Sequence, residues 1–254
     1  AASTGDAMTI TANNLTTGSA LSVISNNGLS SHSGPVVEII NDNNATGTAP
    51  LMALRQDDDG NGIDIDMSRS GIGLRVHYDV AARGGTIYLQ NDDTTIVSTN
   101  VLGSISFNAP LEASGTDAIL VGAKIAAIAT DTFAADNNST ALAFYTGASE
   151  AATEKMRIDS AGNVGIGATP GTSLNTNFVH LQIGGLGGIK TETAATANRT
   201  LVISQNEYLE ASDSKYIVTD QSSRYLQANG VHTFQTAASG SAGATITYTA
   251  PFII

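Results

Sequence analysis

The chain is 254 residues long, with a net charge of −12, 26 glycines, no cysteine and no tryptophan. Without cysteine there is no disulfide framework and no thiol chemistry, and so acidic a chain is a poor partner for a nucleic-acid backbone or an anionic membrane. No run of about 18 apolar residues is present to cross a bilayer as a helix.

Only 13% of the residues are charged and 5% aromatic, which leaves few large side chains for an ordinary globule of this length. Gly, Ala, Ser and Thr allow close approach of backbones, Thr, Val and Ile favour strands, and Glu, Lys and Arg, the charged helix formers, are scarce. An all-β fold is expected. The chain opens on Ala1 to Asp6 with neither an initiator Met nor signal-peptide features, and it reads as a processed product or a fragment of a longer chain.

Residues 1–81 read as a repetitive β-shaft. Alternating units recur at 19–24, 35–40, 50–54, 62–66 and 71–76, separated by Gly, Asn, Asp, Ser or Thr. Their spacing shortens from roughly 16 to roughly 10 residues, which suits strands from several chains wound about one axis better than a single-chain solenoid of constant coil length. An extended, intertwined homotrimer is therefore expected. Within this region Asp57, Asp59 and Asn61 alternate before Gly62, like the first half of a calcium loop. Ser68 stands where that loop needs a bidentate Glu, so a solvated Asn61-Gly62 turn is the other reading, and calcium is the one cofactor the sequence raises.

Residues 82–170 read as longer strands at 86–90, 103–107, 123–128 and 140–145, followed by a hairpin. In that hairpin Met156-Arg-Ile158 alternates, Ser160-Ala-Gly-Asn163 turns, Val164-Gly-Ile-Gly167 alternates again, and Pro170 stops it. Residues 171–197 form a Gly-rich junction with one strand at 180–183. Residues 198–254 hold four of the seven tyrosines and read as an antiparallel β-domain of about six strands.

The hairpin resembles a segment of many bacteriophage tail fibres, written M-R-I-D-S-x-G-N-V-G-I-G. The likeness extends loosely upstream through Gly103-Ser-Ile-Ser-Phe107 and Ala141-Leu-Ala-Phe-Tyr-Thr-Gly147 to about residue 100. A still looser one, to terminal domains of phage fibres, covers the tyrosine-rich end. The resemblance implies a virion fibre at the cell exterior, a homotrimer joined to other tail proteins, which attaches to a host-surface glycan. Such fibres often end in a self-cleaving chaperone with a Ser-Lys pair. Ser212-Asp-Ser-Lys215 matches only its Ser-Asp start and lacks the Arg-x-x-Lys that follows, so the chain is expected without that domain.

Candidate chemistry is sparse. His32, His77, His180 and His232 have no partner at a metal-ligand spacing. Asp64 and Asp66 share a strand face about 7 Å apart, near the separation that glycoside hydrolysis needs, but no aromatic sugar platform accompanies them. There is no G-x-S-x-G and no P-loop. Tyr208, Tyr216, Tyr225, His232, Phe234 and Tyr248 are candidate receptor contacts, since rings and hydroxyls suit sugars; the same residues would equally serve as the core of the terminal domain. The expectation is a non-enzymatic attachment fibre with no nucleic-acid partner and no membrane insertion. The alternatives are a secreted bacterial adhesin or self-assembling extracellular filament, and third a glycan-degrading tailspike.

Overall fold

A computed structural model of the chain describes residues 84–109, 111–171, 175–193 and 200–253, with isolated positions 65, 74 and 76. The chain divides into two compact units, residues 1–85 and 86–254, and the fold described is that of the second. The shaft repeats, Asp57, Asp59, Asn61, Asp64, Asp66, His32 and His77 lie outside the described residues.

Among the described residues the fold is all-β, with no helix. β1 (Val101–Asn108), β2 (Val121–Ala129), β3 (Thr140–Thr146), β4 (Thr153–Ile158) and β5 (Val164–Ile166) form an antiparallel meander. β6 (Phe178–Ile183) then pairs parallel with β5, the one parallel contact in the sheet. β7 (Gly187–Glu192), β8 (Thr200–Gln205), β11 (Asp220–Ala228), β12 (Val231–Gly240) and β13 (Thr249–Ile253) continue antiparallel to the far edge. The result is an eleven-stranded sheet. A separate two-stranded ladder, β9 (Tyr208–Glu210) with β10 (Asp213–Lys215), lies between β8 and β11 in sequence.

Most strands fall where alternation predicts them, and two stretches differ. Residues 86–90 form no strand despite alternating side chains. The Gly-rich junction at 171–197 contains, besides the expected strand, now β6, a second strand, β7, with Gly187 and Gly188 inside it paired to Ile183 and Gln182. β7 and β8, on either side of residues 194–199, pair antiparallel.

Five residues of the fibre-like hairpin, Asp159, Gly162, Asn163, Gly165 and Gly167, each carry a structural task. Asp159 Oδ1 accepts the backbone N–H of Ala161 at 2.9 Å and of Asn163 at 2.8 Å, and Oδ2 accepts Asn163 Nδ2 at 2.9 Å, so the carboxylate closes the turn. Asn163 Oδ1 then accepts the N–H of His180 at 3.1 Å, tying the turn to β6. Gly162 and Gly167 have φ of +85° and +67°, a region that costs other residues strain. At Gly165 the chain folds back over β5, and a Cβ there would collide with the Ala168 carbonyl oxygen and lie 2.8 Å from Pro170 Cδ. This crossing carries the chain from β5 to the parallel β6.

Strand alternation gives the sheet two unlike faces. The charged residues of the strand interiors, Lys124, Glu154, Arg157, Lys190, Glu192 and Arg224, share one face by register. Lys155 and Asp220 sit at bulges. The other face carries Ile105 and Phe107 from β1, Ile125 from β2, Leu142 and Phe144 from β3, and Met156 and Ile158 from β4. It continues through Val164 and Ile166, Leu181 and Ile183, Ile189 and Ile203 to Tyr225, Phe234 and Phe252.

Enclosed core is scarce. Among the described residues the buried apolar ones are Ala126, Ala129, Ala141, Ala143, Val202, Tyr216, Ala237 and Ile246, five of the eight alanine. The one cluster among them is Tyr216, Ala237 and Ile246, with Tyr248 packed against it. It forms where the segments following β10 and β12 fold over the charged face, Tyr216 N–H bonding Ala244 O at 3.1 Å and Ile246 N–H bonding Ser214 O at 2.7 Å.

Candidate functional site

The structure divides five of the six aromatic candidates between the two faces of the sheet. Tyr216 and Tyr248 belong to the small core. Tyr216 is 5% exposed and its hydroxyl donates to Ala238 O at 2.5 Å. The Tyr248 hydroxyl bonds Ser222 Oγ at 2.7 Å, its ring lies 4.0 Å from the Arg224 guanidinium, and burial, followed by the charge of Glu207, pushes the phenol up to about 12. Tyr208 lies half-buried in β9.

Tyr225, His232 and Phe234 are brought together on the apolar face. β11 and β12 are joined by Asn229-Gly230, both at positive φ (+52° and +77°), the type I′ geometry that fixes hairpin register. That register sets Tyr225 opposite Phe234 and Gln227 opposite His232. The Tyr225 hydroxyl bonds His232 Nδ1, and their rings stack with centroids 5.8 Å apart. Phe234 sits 5.2 Å from Tyr225 and 5.9 Å from Phe252. With Ile203 these residues line a shallow apolar depression. A second surface, an open cleft of about 790 Å³, is lined by Asn175, Asn177, Phe178, Glu192, Thr200 and Leu209, with Thr200 Oγ1 donating to Glu192 Oε1 at 3.1 Å.

Sequence reasoning missed a buried ion cluster on the charged face. Asn206, fully buried at φ +58°, donates through Nδ2 to Val218 O and Gln221 O and accepts from Val218 N–H. It thereby turns the chain so that Glu207 points inward. Glu207 Oε1 accepts Ser214 Oγ at 2.6 Å and Arg224 Nη1 at 3.0 Å. Lys190 Nζ lies 2.9 Å from the same oxygen, within ion-pair distance but off the direction of a hydrogen bond. Burial by itself would raise the Glu207 carboxyl, yet Lys190, Ser214 and Arg224 together hold it below the usual carboxylate range. Burial depresses the Lys190 ammonium, and Glu207 offsets only part of that. His180, beside Lys190, is buried with Nε2 unpartnered; burial first, then the Lys190 charge, keeps its imidazole neutral to lower pH than usual. The signal for this cluster was two cations and a carboxylate in otherwise apolar strand contexts, which only the register brings to one place.

One carboxylate against two cations, closed over by Tyr248 and Ser214, makes a cross-brace between β7, β8 and β11. It has the arrangement of a structural ion pair, since its charges are turned inward against one another, although Lys190 Nζ and Glu207 Oε2 have no hydrogen-bond partner. Among the described residues no group of three or more His, Asp or Glu side chains is placed to hold a metal ion. No protein-family model matches the chain, and no curated protein matches it.

Proposed function

We propose that this chain is a structural, non-enzymatic segment of an extracellular attachment fibre of the kind found on phage virions, acting as a homotrimer that engages a host-surface glycan. The observation that carries the reading is the Met156–Pro170 segment. Its likeness to phage tail fibres falls on residues whose work is to turn the chain, brace β6 and clear space for a crossing, and it stands inside a broad sheet with almost no enclosed core. Such a sheet suits a subunit that completes its packing in an assembly.

Attachment would work by avidity, several weak sites per fibre and several fibres per particle. On the single chain two surfaces offer sugar-binding chemistry: the Tyr225–His232–Phe234 rings, and the amide- and carboxylate-lined cleft at Asn177, Glu192 and Thr200. Electron micrographs of the purified chain, paired with competition for phage adsorption to cells, test the reading. Elongated trimeric particles that block adsorption are expected. A compact monomer that binds no cell would overturn it.

A further inference from the structure

The apolar face of the eleven-stranded sheet has no counterpart among the described residues of 86–254. The segments that fold over the sheet, at Ala168–Pro170 and around Tyr216 and Ile246, all cover the charged face. Among the described residues, cover on the apolar face is confined to the β1 margin, where Leu89 crosses Gly103. Side chains along the rest of it remain open from edge to edge: Phe107 is 56% exposed in β1, Ile183 49% in β6, Ile203 47% in β8 and Phe252 55% in β13.

We infer that this face is the surface on which copies of this chain pack against one another, sheet on sheet. The inference deepens the reading of the chain as an assembly subunit, and rests on it. Two quantities select a second copy as the occupant. The first is area. Nine large strand residues on this face are at least 40% exposed, and with side chains of order 150–200 Å² each they present roughly 700 Å² of apolar surface. That exceeds the ~300–600 Å² patch of a typical monomer and approaches the ~800 Å² that each partner contributes to a standard interface. The second is charge. Each copy carries −12, so copies repel wherever their acidic surfaces meet. This face, with its strand interiors free of charge, is where they can approach to the ~10 Å spacing of packed sheets. The inference reassigns the Tyr225–His232–Phe234 cluster to the contact between copies and leaves the Asn177–Glu192–Thr200 cleft, on the charged face, as the surface free for a glycan.

The chain has no cysteine, so single thiols report cover directly. Ile183→Cys and Ile203→Cys place one thiol each on separate strands of the face, which guards against one variant misfolding. Leu111→Cys, at a position 96% exposed, is the control. The full chain of each variant is labelled with a maleimide, and its mass is measured by light scattering. The expected result is a particle of integral multiple mass in which thiols 183 and 203 react at least ~100-fold more slowly than thiol 111, the factor for a face that must open at a cost of about 2.7 kcal/mol. Two results overturn the inference: reaction within a few-fold of the control, or slow reaction in a particle of single-chain mass, which would mean that another part of the same chain covers the face. An assembled, protected particle supports the inference whether or not it adsorbs to cells, and adsorption alone bears on the attachment reading.

Discussion

Among the described residues, the chain closes over itself on the charged face of the sheet, whereas on the apolar face it does not. The charged face is held by specific polar geometry: Asp159 and Asn163 at the hairpin turn, Glu207 between Lys190 and Arg224, Asn206 bracing the segment before β11. The apolar face has few such contacts, the Tyr225 hydroxyl with His232 among them, and is otherwise Ile, Leu, Val and Phe in strand register. Directional contacts fix one arrangement of one chain. A uniform apolar surface fixes little by itself and gains its free energy only when something removes it from water. The two faces should therefore answer to substitution differently, the charged face in the stability of the single chain and the apolar face mainly in assembly.

The sharpest break of that contrast is at Glu207. Glu207→Ala leaves Lys190 and Arg224 without their buried counter-charge, and removing one partner of a buried pair costs about 3–5 kcal/mol. A urea melt at fixed chain concentration reads the loss, and a change under about 1 kcal/mol would show the cluster to be solvated in practice. Next comes Gly165→Ala, whose Cβ meets the Ala168 carbonyl in a crossing that has no room to widen. Overpacking against backbone should cost about 2–3 kcal/mol, seen as a lower urea midpoint with unchanged slope. If the variant melts like the parent, the crossing is not as tight as described. Asp159→Ala removes a carboxylate that accepts two backbone N–H groups and the Asn163 amide; about 2 kcal/mol is expected, at the scale of charge-assisted hydrogen bonds.

Much of the sheet is legible in the sequence because alternation survives in it. β2, β3 and β8 each place an apolar or small residue at every second position, and Asn229-Gly230 sits at the turn between β11 and β12. β7 is hidden because its first two residues are Gly187 and Gly188, which carry no side chain to alternate and which commonly mark turns. Residues 86–90 show the converse, with alternation present but no pairing to make a strand of it. The parallel step from β5 to β6 depends on the crossing at Gly165, a contact with Ala168 and Pro170 that no periodicity encodes. The aromatic candidates were legible as residues and not as a group. Tyr216 and Tyr225 both lie in tyrosine-rich strand patterns, yet one is enclosed and the other faces outward, and what separates them is which face the chain's own segments cover. Glu207 belongs to no motif and becomes a site only through the register of β7, β8 and β11.

The charged face should also give the chain an acid-sensitive stability that the apolar face does not share. His180 faces Lys190, Glu207 and Asp159 from the neighbouring elements, and burial followed by the Lys190 charge holds its imidazole below the ordinary value. The unfolded chain then binds the proton more readily than the folded one. Stability is full above about pH 6.5, the unfolded value, and falls as pH drops below it. The slope from this one group is at most about 1.4 kcal/mol per pH unit. Glu207, held below the carboxylate range, adds a second loss as pH falls below about 4.5. Melts between pH 7.5 and 5 on the parent and on His180→Leu separate the first window, since the variant should lose the slope there. An unchanged slope would place the titrating group elsewhere.

The smallest expected effect is the most useful for telling the faces apart. Tyr225→Phe deletes the hydroxyl that bonds His232 Nδ1 and leaves the ring stack with Phe234 in place. In a single chain with this face open to water, the freed imidazole nitrogen is hydrated, and the loss should be about 0.5 kcal/mol or less. In an assembly that covers the face, the same nitrogen is left buried without a partner, and the cost rises towards about 1–3 kcal/mol per copy. Measured across a range of chain concentrations, the variant should therefore differ little from the parent where the chain is dissociated and increasingly where it is assembled. A difference that stays constant with concentration would mean that the environment of Tyr225 does not change on association, and that the charged and apolar faces answer to the same single-chain stability after all.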